Sequence, residues 1–182
     1  MSTQLPSLAD LHKDPQEAFK NDQLKTLLNQ PPSESWLKVH PLTKSKYLPI
    51  DKVEYLLDVI FQKWRVEVLQ VQVILNAIQV TVRLHYYDPV AGEWASHDGV
   101  GAKSVQVDSG ARPSDLSSIK DSAVMQAGPT AKSQAIKDGG DHIGKLFGRD
   151  LNRKDTVEFA GKYSGGAAAT TTAQADAFLN NL

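Results

Sequence analysis

The residues of this chain that could do covalent chemistry are few, and their spacing does not suit it. His12, His40, His85, His97 and His142 include no H-E-x-x-H or comparable pair, so no metal-ligand set is expected. Gly99-Val100-Gly101-Ala102-Lys103-Ser104 looks like a phosphate-binding loop. It departs from the motif, because Ala102 stands where a Gly is required before the Lys and His97 replaces the first Gly. The motif also belongs between a strand and a helix, which is not the setting of this run. Asp138 and Asp141 are three apart and could share a helical face. Each has basic neighbours, which favours solvated pairing over general acid–base work. There is no G-x-S-x-G elbow, and without cysteine no thiol nucleophile or disulfide exists. The expectation is a protein that is not an enzyme and needs neither cofactor nor metal.

Two stretches instead carry charge and rings suited to binding. Residues 31–50 read as a connecting loop that places Lys38, His40, Lys44 and Lys46 near Trp36 and Tyr47. Basic residues interleaved with aromatics serve single-stranded nucleic acid, charge meeting phosphates and rings stacking on bases. The alternative is an ordinary basic loop that Trp36 anchors in the core. The second stretch is Ala135 to Arg153, read as one long helix. Ile136, Ile143, Phe147 and Leu151 recur at three- and four-residue steps and define an apolar face. Lys137, Lys145, Arg149 and Arg153 form a basic row at multiples of four, interrupted by Asp141, and His142 lies beside it. Residues 131–154 hold six basic and three acidic side chains, against a net charge of −1 for the whole chain, so any pull on nucleic acid must be local. Such a helix could read backbone phosphates. The alternative is a surface helix whose cations pair with Asp138, Asp141 and Asp150. Gly140, Gly144 and Gly148 make a third stripe. Glycine inside a helix costs roughly 1 kcal/mol against alanine, so three in line predict a backbone lying close against a sheet, with Gly144 facing it.

The elements that must position these groups follow from periodicity. At 182 residues the chain is long enough for one domain, and 41% hydrophobic with 23% charged residues fits a soluble globular protein. No run of 18 apolar residues exists and the first residues lack a signal peptide's pattern, so no membrane association and a cytoplasmic location are expected. Asp14-Pro15-Gln16-Glu17 opens a helix that stops at Pro31-Pro32. Asp51 with Glu54 suggests a capping box, with Ile50 and Tyr55 as a hydrophobic staple, for a core helix carrying Val53, Leu56, Leu57, Ile60, Phe61 and Trp64. The period then becomes two. Val66 and Val68 alternate with polar residues, and the phase flips at Leu69, which predicts a bulge near 68–69. Ile78, Val80, Val82, Leu84 and Tyr86 share one face of a second strand, Asp88 to Gly92 is a turn, and a third strand runs from Glu93 to about Val107. Gly99 and Gly101 in it would admit another backbone or a ligand. Ser117 to Gln126 reads as a short helix closed by Gly128-Pro129, and the long helix starts near Thr130. The fold class expected is α+β: a three-stranded antiparallel β-meander packed against a long helix, a β-β-β-α core, with additional N-terminal helices. The domain boundaries expected are an N-terminal arm and helix over 1–34, a core over 35–154 and a low-complexity tail over 155–182.

This order meets a set of specific residues: K-Y-L-P-I-D-K-V-E-Y-L-L-D-V-I-F at 46–61, V-T-V-R-L-H-Y at 80–86, G-E-W at 92–94, D-G-V-G-A at 98–102, and A-I-K-D-G-G-D-H-I-G-K-L-F-G-R-D-L-N-R at 135–153. Together they resemble the single-strand annealing proteins of the Rad-fifty-two superfamily, particularly its small phage-encoded members, over about residues 35–153. The resemblance implies ATP-independent annealing of complementary single-stranded DNA in homologous recombination, by a large homo-oligomer in the form of a ring or filament. It also implies a bacterial host's cytoplasm as the setting, and a phage exonuclease or single-strand binding protein as a further partner. In eukaryotic relatives the DNA-contacting basic residues of the final helix fall on Asp141, His142 and Lys145 here, so Asp141 reverses the charge. The aromatic that opens the family's conserved region falls on Tyr47. The DNA-binding residues expected are therefore Lys38, Lys44, Lys46, Tyr47, Lys137, His142, Lys145, Arg149 and Arg153. Two other functions fit the same pattern: a structural oligomerisation module without nucleic acid, and an RNA-binding module.

Overall fold

A computed structural model describes residues 14–41, 43–112 and 114–155. The expected N-terminal arm and most of the expected tail lie outside the described residues. Helix α1 spans Pro15–Leu28; the Asp14 carboxylate accepts the Gln16 N–H at 2.9 Å, and Pro15 occupies the first turn, as the capping pattern predicts. Residues 31–50 are not a plain loop. They hold a short 3-10 turn, Glu34–Trp36, and a two-stranded hairpin of β1 (Lys38–Val39) and β2 (Lys46–Tyr47). Helix α2 covers Ile50–Ile60 and buries Val53, Leu56 and Leu57. It starts two residues earlier than a capping box with Asp51 at the cap requires. Pro49 takes the cap position, no side chain caps the helix, and Asp51 sits inside the first turn, where its charge still suits the helix dipole.

Strands β3 (Trp64–Ile74), β4 (Ala77–Asp88) and β5 (Glu93–Ser104) form an antiparallel meander in the order β3-β4-β5. Val68 pairs with Val82 but Gln70 with Thr81, so Leu69 is the extra residue of a bulge, as the phase flip predicts. The bulge keeps Val66, Val68, Val71 and Val73 on one face of the sheet. That face is the core face of β4, where Val80, Val82, Leu84 and Tyr86 are buried.

Helix α3 spans Asp121–Asp141, and here the structure departs from the sequence expectation at both ends. Gly128-Pro129 does not close a short helix; it lies inside α3. Residues before proline avoid helical geometry because the proline ring clashes with their N–H and Cβ, and Gly128 lacks the Cβ. Pro129 is exposed, and the carbonyl it leaves unpaired belongs to Met125, itself 79% exposed. Continuing the helix keeps Ala123, Ala127, Ala131, Ala135 and Gly139, one every four residues, against β4 and β5. Gly99 and Gly101 permit this contact: a Cβ on Gly99 would land on the Ala135 carbonyl oxygen, and one on Gly101 on that of Ala131.

At its other end α3 stops at Asp141, not Arg153. Gly144 is extended, Lys145–Phe147 is a single 3-10 turn, and turns follow to Asn152. The chain bends there because Ile143, Leu146 and Phe147 enter the core, where Phe147 meets Phe61 at 6.2 Å between ring centroids. Gly144 therefore does not face the sheet. A Cβ there would strike the Leu28 carbonyl at the end of α1, so this glycine docks α1. Among the described residues no helix is long and apolar enough to cross a membrane.

Candidate nucleic-acid interface

An open groove of about 590 Å³ runs between one flank of α3, the β5 edge at Val100–Ala102, the β1–β2 hairpin and the turns after Phe147. Each wall has a local cause. β5 is an edge strand, and its outward Val100 N–H would be unpaired. The Asp138 carboxylate accepts it at 2.9 Å, tying α3 to the edge. So Asp138 caps a strand rather than pairing with a neighbouring cation. The opposite wall is fixed by Asn152, whose side chain accepts the Lys46 N–H and donates to the Lys46 carbonyl, both at 2.8 Å. An amide thus acts as a third strand beside β2, and no periodicity in the sequence points to it.

Lys46, Tyr47 and Lys137 come together in this groove. The Lys137 ammonium lies 4.8 Å from the Tyr47 ring centroid, a cation on an aromatic face. Burial lowers the Lys137 pKa and Asp141 partly offsets this. Asp141, half-buried, has its pKa pushed up to about 6, first by burial and then by Asp138; His142, Lys137 and Arg149 oppose the shift. The Lys46 ammonium is held by Glu34 at 2.9 Å. Lys38 pairs with Tyr47 across the hairpin and Lys44, at φ 58, makes its turn, but neither lines the groove.

The remaining sequence candidates do not line the groove, and they form no helical row because the helix has ended. Arg149 donates through Nε to the Asp141 carbonyl at 2.9 Å and through Nη2 to the His142 carbonyl. It closes the C-terminus of α3, where cationic donors satisfy the last carbonyls. Arg153 pairs with Asp150 at 3.0 Å. His142 is exposed and its ring lies tilted against His97, 5.7 Å between centroids, and His97 shares a hydrogen bond with the Tyr86 hydroxyl at 3.1 Å. Lys145 is half-buried in the 3-10 turn. Thr130, Ser133 and Gln134, which the sequence reading passed over, line the groove because they sit one and two turns before Lys137 on the same flank. Among the described residues no three His, Asp or Glu side chains converge as a metal site would require.

No protein-family model matches the chain, and no curated protein matches it.

Proposed function

We propose that the chain binds single-stranded DNA and anneals complementary strands without a nucleotide cofactor, acting as a homo-oligomer in the cytoplasm of a bacterial host. The observation that carries this reading is the Lys137 ammonium seated on Tyr47 in an open groove. A cation and a ring side by side can meet a phosphate and a base of one strand. The β-β-β-α order supports it, since the resemblance to the Rad-fifty-two superfamily implies that core. Annealing needs strands held extended with bases free, and sequence-independent contacts do that without bond-making.

The homo-oligomer is supported by the uncovered half of β3. Val68, Val71 and Val73 point to the core face yet are 47%, 61% and 74% exposed, and Leu75 at the adjoining turn is 92% exposed. Apolar surface of this kind on a free strand edge is suited to another copy. Alignment of many shallow grooves would multiply weak contacts through effective concentration. The same surface favours a second reading, an oligomerisation module without nucleic acid, because Asp138 and Asp141 balance Lys46 and Lys137 in a single groove.

Fluorescence anisotropy of a labelled oligothymidine over a range of salt, beside light scattering and strand annealing without ATP, separates the two. The proposal expects salt-sensitive binding, a mass several times that of one chain and cofactor-free annealing. An oligomer with no affinity for the oligonucleotide establishes the second reading instead, and tighter binding of oligouridine makes the chain an RNA-binding module.

A further inference from the structure

The face of the sheet that α3 does not cover carries its own arrangement of rings and charge. Tyr87 of β4 and Trp94 of β5 are direct cross-strand partners, and their rings meet edge to face at 5.8 Å and 74°. The Tyr87 hydroxyl donates to the Gly92 carbonyl at 2.8 Å, which fixes the pair to the β4–β5 turn. Trp94 is 52% exposed. The Arg65 guanidinium, reaching across from β3, lies 5.7 Å from the Trp94 ring, and the Lys63 ammonium lies 5.5 Å from the Tyr87 ring.

The charges on this face are unevenly used. In its middle Arg83 is locked to Asp98 through two bonds at 2.6 and 2.8 Å, and His85 meets Glu67 at 3.0 Å. Arg83 and Asp98 neutralise each other, and His85 and Glu67 occupy each other as hydrogen-bond partners. Lys63 and Arg65 have no carboxylate partner among the described residues, and their only partners are the rings. The acidic residues of the adjoining turn are Asp88 and Glu93. They pair with each other and fall at the alternate register positions, and the Asp88 carboxylate is occupied by the Val90 and Ala91 N–H groups. One end of the outer face therefore presents two fixed rings and two cations free of carboxylate partners. The Tyr87–Trp94 pair steadies the β4–β5 hairpin, and the half-exposed Trp94 ring is also a surface on which bases of any sequence can stack while phosphates follow the cations.

We infer that the Lys63, Arg65, Tyr87 and Trp94 cluster is a second contact for single-stranded DNA, separate from the groove, with a base stacked on Trp94 and the flanking phosphates at Lys63 and Arg65. It rests on the reading of the chain as a single-strand binder and extends the strand's path onto the opposite face of the sheet.

The test uses the full chain and unlabelled oligothymidine, read by tryptophan fluorescence, with anisotropy of a labelled copy in parallel. Trp94→Leu, Lys63→Gln with Arg65→Gln, and the groove variant Lys137→Gln are compared, each checked by its melting curve. Stacking on Trp94 quenches the wild-type emission on binding. Trp94→Leu loses that quenching and weakens binding on the order of tenfold. The Lys63→Gln, Arg65→Gln pair flattens the salt dependence by up to two units of slope. Lys137→Gln weakens binding yet keeps the quenching. If Trp94→Leu does not fold, the Lys63→Gln, Arg65→Gln pair and the wild-type quenching decide. Oligothymidine binding with no quenching, or with affinity untouched by the outer-face variants, overturns the inference and leaves the groove reading standing. No binding by the wild-type protein overturns both. A fall in oligomer mass in Trp94→Leu at unchanged affinity assigns the cluster to a protein contact and overturns it as well, as does preferential binding of oligouridine at the same residues.

Discussion

The Lys137 ammonium of α3 rests 4.8 Å from the ring centroid of Tyr47 on β2, and the contact joins two parts of the chain that no local pattern connects. If it serves DNA, Lys137→Gln should lower affinity for oligothymidine several-fold and reduce the salt slope by about one unit. Tyr47→Leu should weaken binding by about 1–3 kcal/mol per stacked base with less change in slope. Anisotropy titrations at several salt concentrations check both. Equal affinity in the two variants and the wild type would make the pair structural.

Arg149 makes the opposite prediction. Its guanidinium holds the last carbonyls of α3, so Arg149→Ala should cost stability, about 1–2 kcal/mol for two lost hydrogen bonds in a partly buried setting. DNA affinity per folded molecule should stay the same. A melting curve beside a salt titration separates the cases, and a slope reduced by one unit without a lower melting temperature would return Arg149 to the phosphate contacts.

Gly99→Ala and Gly101→Ala should each push α3 off the sheet, since the new methyl would meet backbone oxygen rather than a movable side chain. A cost of about 1–3 kcal/mol or more is expected. Gly144→Ala should instead loosen α1, whose Leu28 carbonyl it would strike. Thermal melting shows all three losses, and limited proteolysis between α1 and the hairpin should be accelerated in Gly144→Ala alone.

Asp141 gives a pH-dependent prediction. Its folded pKa is raised to about 6, against 3.8 for the ordinary side chain, so the folded state disfavours the charged form. The resulting penalty is full above about 6 and is relieved as pH falls from there toward 3.8. Asp141→Asn removes it and should stabilise the protein at pH 7, by about 1 kcal/mol after allowing for the side chain's remaining exposure. The gap between variant and wild-type melting temperatures should close as pH is lowered through that window. DNA affinity of the wild type should rise over the same range, because the groove loses a negative charge beside Lys137, and the Asn variant should lack that rise. An Asn variant that melts below the wild type at pH 7, with the deficit vanishing as pH falls, would show that Asp141 is stabilised as the anion.

What the sequence determined by itself is the part of the fold written in short-range alternation. Val80, Val82, Leu84 and Tyr86 take the core face of β4 because side chains alternate with period two, and the Leu69 bulge appears because two phases must share one face. The same locality makes α2 and α1 readable. The last helix was not settled in this way. A step of four between Lys145, Arg149 and Arg153 suits a helix equally well as a 3-10 turn followed by loops, and Gly128-Pro129 reads locally as a stop. Tertiary structure decided both ends. The stripe from Ala123 to Gly139 fits Gly99 and Gly101 only if α3 continues through Pro129, and Leu146 and Phe147 reach the core only if the helix ends before them. Those choices turn Arg149 into a helix cap, bring Asn152 to Lys46 and set Lys137 on Tyr47. Each depends on close packing between distant segments, which the period of a sequence does not encode.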